Sequence, residues 1–308
     1  MNRRKIKIGS RGSRLALVQA EYVKARLAGL NPGIEFNIMI IATSGDKDRR
    51  TSLEKMADIG VFVKELEEAL ADRRIDLAVH SLKDMPTIVP PELILVATTE
   101  REDPRDALVT RGETLAGLKL GAVIGTGSLR RSVQISRFRN DVEIKSIRGN
   151  MDTRLRKVSE GELDGLIVAA AAMARLGLLD KITEYLAPEY FVPSVGQGAL
   201  GIEIRRSDED IAAMVSGINH LPTWQAIVAE RSFLEALGGG CRAPIAALAE
   251  VHNGAITISG MAASEDGKLM KKAMLTGAAV SAEDLGRQLA SDILRQGAGK
   301  FLPEVKKE

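Results

Sequence analysis

Apolar and polar residues follow two rhythms along this chain. In residues 5–9, Ile6 and Ile8 alternate with lysine, the period of a half-buried strand. In residues 14–27, Leu15, Val18, Tyr22, Val23 and Ala25 recur near helical spacing and predict a helix. Residues 35–42 read as a strand, 60–71 as a helix with Val61, Leu66, Ala69 and Leu70 facing inward, and 77–80 and 93–98 as short strands. Strands alternating with helices imply βαβ units and a mainly parallel sheet. A charged, proline-containing stretch at 100–106 reads as a linker. A second α/β set follows: strands at 107–110 and 122–125, a helix at 129–138, a strand at 143–147, a helix at 152–160, a strand at 165–169 and an alanine-rich helix ending at Leu176. Residues 188–198 are rich in proline and glycine and read as a crossing segment, after which 200–204 returns as a strand. Beyond a third break at 217–222 come a helix at 224–237, strands at 246–251, 256–261 and 270–275, a tight turn at His252-Asn253-Gly254-Ala255 and a closing helix at 282–296. Strands joined by tight turns, with helices on one side, predict a small α+β domain.

Composition narrows the class. A chain of 308 residues suits two or three domains of ~100–150 residues each. With 45% apolar and 27% charged residues it can bury enough surface to offset its ordering entropy, which excludes disorder. No apolar run approaches the ~20 residues that span a bilayer, and the basic start Met1-Asn2-Arg3-Arg4-Lys5 lacks the apolar core of a signal peptide. A lone cysteine, Cys241, can form neither an internal disulfide nor a multi-thiolate metal site, so no metal is expected and a reducing cytoplasm is. A net charge of +2 and 3% aromatic residues argue against a nucleic-acid surface, and near-neutrality without an apolar surface stripe predicts a monomer.

Five segments repeat one design, a strand end followed by a Gly-, Ser- or Thr-rich turn and then a helix or basic residues. They are Ile8-Gly9-Ser10-Arg11-Gly12-Ser13-Arg14, Ala42-Thr43-Ser44-Gly45-Asp46, His80-Ser81-Leu82-Lys83-Asp84, Ile124-Gly125-Thr126-Gly127-Ser128-Leu129-Arg130-Arg131, and Ile147-Arg148-Gly149-Asn150-Met151-Asp152-Thr153-Arg154. In a parallel sheet, ligands bind beyond the carboxyl ends of the strands, where helix N-termini offer free N–H groups. Arginine adds a planar fork that grips a carboxylate or phosphate. Arg11, Arg130, Arg131, Arg148 and Arg154 on one edge would hold a polyanion; taken singly, each is an ordinary solvated or capped arginine. None of the loops is a complete phosphate-binding fingerprint, so a nucleotide enzyme is not specified. Asp84, ionised among arginines, suits stabilisation of a developing cation or acceptance of an N–H, against the plainer role of a salt-bridged structural Asp. His80 ends an apolar strand, where a hydrogen-bonded spacer competes with a base. Cys241 lies in Gly238-Gly239-Gly240-Cys241-Arg242-Ala243-Pro244, where Arg242 favours the thiolate.

Nine motifs in order carry a resemblance that spans almost the whole chain: Gly9-Ser10-Arg11-Gly12-Ser13-Arg14-Leu15-Ala16-Leu17; Phe62-Val63-Lys64-Glu65-Leu66-Glu67; Asp76-Leu77-Ala78-Val79-His80-Ser81-Leu82-Lys83-Asp84-Met85-Pro86; Glu100-Arg101-Glu102-Asp103-Pro104-Arg105-Asp106; Gly125-Thr126-Gly127-Ser128-Leu129-Arg130-Arg131; Ile147-Arg148-Gly149-Asn150 with Thr153-Arg154-Leu155; Ala174-Arg175-Leu176-Gly177-Leu178; Val195-Gly196-Gln197-Gly198-Ala199; and Glu230-Arg231 followed by Gly239-Gly240-Cys241. The sequence resembles the porphobilinogen deaminase (hydroxymethylbilane synthase) family.

The resemblance implies an α/β fold of two periplasmic-binding-protein-like domains flanking a cleft, residues 1–99 with 200–217 and residues 104–195, plus a small α+β domain at 220–308. It implies a transferase that joins four porphobilinogen molecules head to tail into hydroxymethylbilane, releasing ammonia, in tetrapyrrole biosynthesis. It places a dipyrromethane cofactor on Cys241 through a thioether, with Lys83, Asp84, Ser128, Arg130, Arg131 and Arg148 around it. Arg11, Ser13, Phe62, Arg148, Arg154 and Arg175 fall on substrate-binding positions, and Asp84 on the catalytic aspartate that stabilises the cation formed as ammonia leaves. Three positions depart from the family pattern: Ile59 where a second lid lysine is common (Lys55 remains), Gly127 where serine is frequent, and Ala243 where a β-branched residue is usual. The competing class is a non-catalytic two-lobed anion-binding module, which would bind ligand reversibly, release no ammonia and not depend on Asp84.

Overall fold

The computed structural model describes residues 4–42, 63–238 and 243–302. Among these, the strands form three sheets, two of five strands and one of three. By contacts the chain divides into two compact units, Met1–Arg101 with Ala199–Trp224, and Glu102–Gly198 with Gln225–Glu308.

In the first unit, β1 (Lys5–Ser10) leads through Ser13 into α1 (Arg14–Leu30) and then β2 (Glu35–Ile40). Helix α2 (Lys64–Ala71), β3 (Leu77–Ser81), β4 (Leu93–Thr98), β10 (Leu200–Arg205) and the helix Glu209–Ser216 complete it. The strand order is β2-β1-β3-β10-β4. Strands β2, β1 and β3 are parallel, whereas β10 is antiparallel to both β3 and β4. The sheet is therefore mixed rather than mainly parallel. Leu200 at the start of β10 pairs with Ser81 at the end of β3, so the strand arrives at the carboxyl edge and has to run back. Helix α1 buries Ala20, Val23 and Leu27 and leaves Tyr22 exposed, so its inward face is rotated from the expected stripe.

The second unit repeats this order. Its large sheet runs β7-β6-β8-β5-β9, from β5 (Asp106–Thr110), β6 (Val123–Gly125), β7 (Glu143–Lys145), β8 (Gly165–Ala169) and β9 (Glu184–Tyr185). Strands β7, β6 and β8 are parallel, and β5 is antiparallel beside β8. Helices α3 (Leu129–Phe138), α4 (Met151–Ser159) and α5 (Ala170–Leu176) follow β6, β7 and β8. The sequence shows no repeat, yet both large sheets have three parallel strands and an antiparallel fourth. Asp106 is the first residue of β5, paired with Ala169 and 1% exposed, so the expected linker ends before it.

The small sheet is the meander β11-β12-β13, from Ile245–His252, Ala255–Ala263 and Met270–Ala278. Asn253 and Gly254, both at positive φ (51° and 78°), make its first turn, as a two-residue hairpin requires. Leu221–Ala236 and the C-terminal Ala282–Arg295 are its helices, and Phe233, Leu289 and Ile293 fill its core with Val195 of the crossing segment. A further cluster joins Val133 and Val192 to Ala246, Leu248 and Met261, which packs this layer against the β5–β9 sheet.

Candidate functional site

In a sheet ordered 2-1-3, the reversal of strand order opens a crevice at the carboxyl ends of the first and third strands. Both units place expected residues there. In the first unit, Arg11 and Ser13 follow β1, while Lys83 and Asp84 lie in the single turn Leu82–Asp84 after β3. A cavity of about 60 Å³ opens between them, lined by Arg11, Ser13, Gln19, His80, Ser81 and Asp84 with apolar Leu15, Val63, Leu66 and Val79. Ser13 Oγ accepts from Ala16 N–H (3.3 Å) and caps α1, while Gln19 and Ser81 exchange hydrogen bonds at 2.9 and 3.0 Å.

Beside this cavity lie two glutamates that sequence reasoning missed, Glu203 and Glu67, and the hydrogen-bonded setting it offered as one reading of His80. His80 Nε2 is 2.9 Å from Glu203 Oε2, with both side chains buried. Glu203 Oε1 and Glu67 Oε1 are buried without a hydrogen-bond partner among the described residues. Burial, and then the charge of Glu203, push the Glu67 carboxyl up from 4.5 to about 7. In β10, Ile202, Glu203, Ile204 and Arg205 alternate, which puts Glu203 on the expected solvent face, yet every residue of the strand is buried.

In the second unit, Ser128 caps α3 by accepting from Arg131 N–H, and Asn150 caps α4 by accepting from Thr153 N–H (2.9 Å). Arg130 and Arg131 are 7% and 9% exposed, turned inward onto one carboxylate. Arg130 Nη1 donates to Asp106 Oδ2 (2.7 Å), and Arg131 donates through Nε and Nη2 to Asp106 Oδ1 (3.0 and 2.7 Å). Burial alone would raise the Asp106 carboxyl, but the two guanidinium charges outweigh it and hold it far below the usual carboxylate range. Gln197 Nε2 adds bonds to Asp106 Oδ1 and to the Pro104 carbonyl (2.9 and 2.7 Å). Asp106 and Gln197 both occur in the quoted motifs, but only the fold shows them meeting.

Two guanidiniums on one carboxylate leave a positive excess, and Arg154 adds to it. Burial, and then the charges of Arg131 and Arg148, pull the Arg154 guanidinium down from its ordinary value. Among the described residues Arg154 makes no ion pair; its Nε donates to the Gly149 carbonyl (2.8 Å). Half-buried cations crowded in this way are relieved by an incoming anion, so the cluster suits a group bearing several carboxylates. Arg175, in the last turn of α5, donates to the Gly198 carbonyl (2.6 Å). The structure thus brings Arg11, Ser13 and Asp84 to one cavity in the first unit and Arg130, Arg131, Arg148 and Arg154 near one another in the second, while Lys83 lies in the turn beside Asp84, Ser128 caps α3 and Arg175 ends α5. Cys241, Phe62, Lys55 and Ile59 lie outside the described residues.

Two departures have structural settings. A Cβ at Gly127 would lie 2.9 Å from the Ile147 carbonyl oxygen, so this backbone has no room for serine. Ala243 packs against the core of the small layer.

A family model described as "Porphobilinogen deaminase, dipyromethane cofactor binding domain" matches residues 6–213, and its "C-terminal domain" matches 224–295. The porphobilinogen deaminase of Syntrophobacter fumaroxidans is 44% identical over 306 residues, covering 99% of each chain. That of Brevibacillus brevis is 47% identical over 306 residues, covering 99% of this chain and 98% of its own. Among solved structures, a Salmonella typhimurium periplasmic binding protein with high arginine specificity is 13% identical, with a TM-score of 0.37 over 70% of this chain and 91% of its own. The nine motifs stand in order along a chain nearly half identical to these enzymes over its whole length, and two family models cover both its parts: the chain belongs to the porphobilinogen deaminase family.

Proposed function

We infer that this enzyme polymerises four porphobilinogen molecules head to tail into hydroxymethylbilane, releasing ammonia, in tetrapyrrole biosynthesis. The observation that carries this reading is the buried positive excess around Asp106, since every porphobilinogen unit brings two carboxylates. The dipyrromethane cofactor supplies, when bound, the pyrrole end to which the first unit is joined.

The roles of individual residues are proposals. Cys241 carries the cofactor through a thioether. Ser128, Arg130, Arg131 and Arg148 neutralise cofactor carboxylates, with Asp106 fixing the guanidinium planes of Arg130 and Arg131 so that little rotamer entropy is lost when an anion arrives. Ser128 uses an oxygen lone pair for its cap and keeps its O–H to donate. Arg11, Ser13, Phe62, Arg154 and Arg175 receive the substrate's acid arms. Lys83 adds a cation beside Asp84. Asp84 accepts pyrrole N–H groups and stabilises the positive charge left on porphobilinogen as ammonia departs. The apolar wall of Leu15, Val63, Leu66 and Val79 lowers the local dielectric and strengthens that interaction.

We propose three domains, 1–99 with 200–217, 104–195 and 220–308, a division that the three sheets support. A monomer in the cytoplasm is also proposed; among the described residues no helix is long and apolar enough to cross a membrane.

Intact-mass measurement tests the reading. The purified protein should carry two pyrrole units, and Cys241→Ser should carry none. Asp84→Asn should fold and keep the added mass but release no ammonia from porphobilinogen. Active protein of unmodified mass would overturn the proposal.

A further inference from the structure

A second concentration of cations lies elsewhere in the second unit. The far end of α3, residues 189–191 and the start of β13 enclose a cavity of 360 Å³ lined by Gln134, Arg137, Phe138, Tyr190, Met270 and Lys272. The chain has only six Phe and three Tyr, yet three of these nine meet here. Phe138 stacks edge-on against Tyr190 (5.7 Å) and tilted against Phe191 (5.2 Å). Phe138 and Tyr190 nonetheless keep 44% and 61% of their surface exposed, so both retain surface that a ligand can cover.

Among the described residues neither Arg137 nor Lys272 makes an ion pair. Lys272 Nζ donates to the Glu189 and Tyr190 carbonyls (3.2 and 3.4 Å), which leaves a third N–H for a ligand. Burial, and then the charge of Arg137, pull the Lys272 ammonium down from its ordinary value. Gln134 accepts from Val192 N–H and donates to the Val192 carbonyl (2.7 and 3.1 Å), bracing the chain two residues beyond Tyr190. Gln134 and Lys272 thus hold the backbone of residues 189–192 from two sides.

We propose that this cavity is a binding site for a planar ring bearing a carboxylate, with the ring on Phe138 and Tyr190 and the carboxylate between Arg137 and Lys272. Aromatic stacking and two charge-assisted hydrogen bonds act together, so neither half of the ligand suffices alone.

Met270 lines the cavity and supplies a local reporter. In full-length protein labelled with ¹³C-methyl methionine, with Met270 assigned by its loss in Met270→Leu, benzoate at millimolar concentration should shift the Met270 methyl signal saturably. Acetate and benzylamine, which lack the ring and the negative charge respectively, should not shift it. Arg137→Gln and Lys272→Gln should each weaken benzoate binding by about tenfold or more, with the other methionine signals reporting an intact fold. Porphobilinogen added to Asp84→Asn protein distinguishes the enzyme's own substrate from an unrelated aromatic acid: tighter than benzoate assigns the site to the former, weaker to the latter. A Met270 signal that ignores benzoate, that follows acetate equally, or that responds undiminished in the Arg137→Gln/Lys272→Gln double variant overturns the proposal.

Discussion

Asp106 holds two buried guanidiniums, so its removal costs more than its own bonds. In Asp106→Asn, Arg130 and Arg131 remain inside with a neutral amide, and breaking a buried pair in this way costs ~3–5 kcal/mol. Chemical denaturation should show that loss, accompanied by loss of bound cofactor. Its carboxyl is depressed, so its stabilisation is complete above the ordinary carboxylate pKa and erodes only as pH falls below about 4. Glu67 has the opposite sign. Its carboxyl is raised from 4.5 to about 7, so the folded state holds the proton more tightly than the unfolded one. The stabilisation from that proton is complete below 4.5 and is lost as pH rises through 7. Denaturation midpoints of the native protein should therefore decline across this window, and Glu67→Gln should flatten the decline and be the more stable protein above pH 7. An unchanged slope in the variant would refute the assignment.

At the scale of elements, helix starts serve two purposes. Ser13, Ser128 and Asn150 each satisfy a free N–H at the head of a helix, and each lies in a loop at the carboxyl edge of a sheet. Asn150→Ala should cost about 1 kcal/mol in denaturant unfolding through loss of the cap. Ser128→Ala should cost a similar amount and, if its O–H also meets the cofactor, lower the fraction of protein carrying the added mass. A variant with the stability loss but full cofactor content would make Ser128 a cap alone.

Across the whole second unit, one carboxylate joins the crossing segment to the small sheet. Glu230 is fully buried and accepts from Gly196 N–H (2.7 Å) and Ala249 N–H (2.8 Å). Glu230→Gln offers one accepting oxygen where two are used and turns an NH₂ toward a donor, a loss of ~1–3 kcal/mol. Hydrogen exchange should quicken first at Gly196 and Ala249; uniform quickening throughout the unit would refute this local role.

The local patterns were enough to locate most strands and helices, because apolar period and caps are properties of neighbours along the chain. Leu93–Thr98, Leu129–Phe138 and Gly165–Ala169 match their expected bounds. The helix Glu209–Ser216 escaped because Ile211-Ala212-Ala213-Met214-Val215 is an unbroken apolar run with no helical period, although only Ile211 and Val215 of it are buried. The loops bearing Arg11, Asp84, Arg130 and Arg148 were legible as motifs, since strand–turn–helix junctions need short-range glycine and cap chemistry. Their partners were not. Asp106 meets Arg130 and Arg131, and Glu203 meets His80, across separations of 24, 25 and 123 residues. Such pairings depend on β5 and β10 turning antiparallel beside β8 and β3. Strand direction is set by where the chain re-enters a sheet, and Coulomb energy in a buried setting by what the folded chain brings within a few ångströms, so neither can be read from residue order.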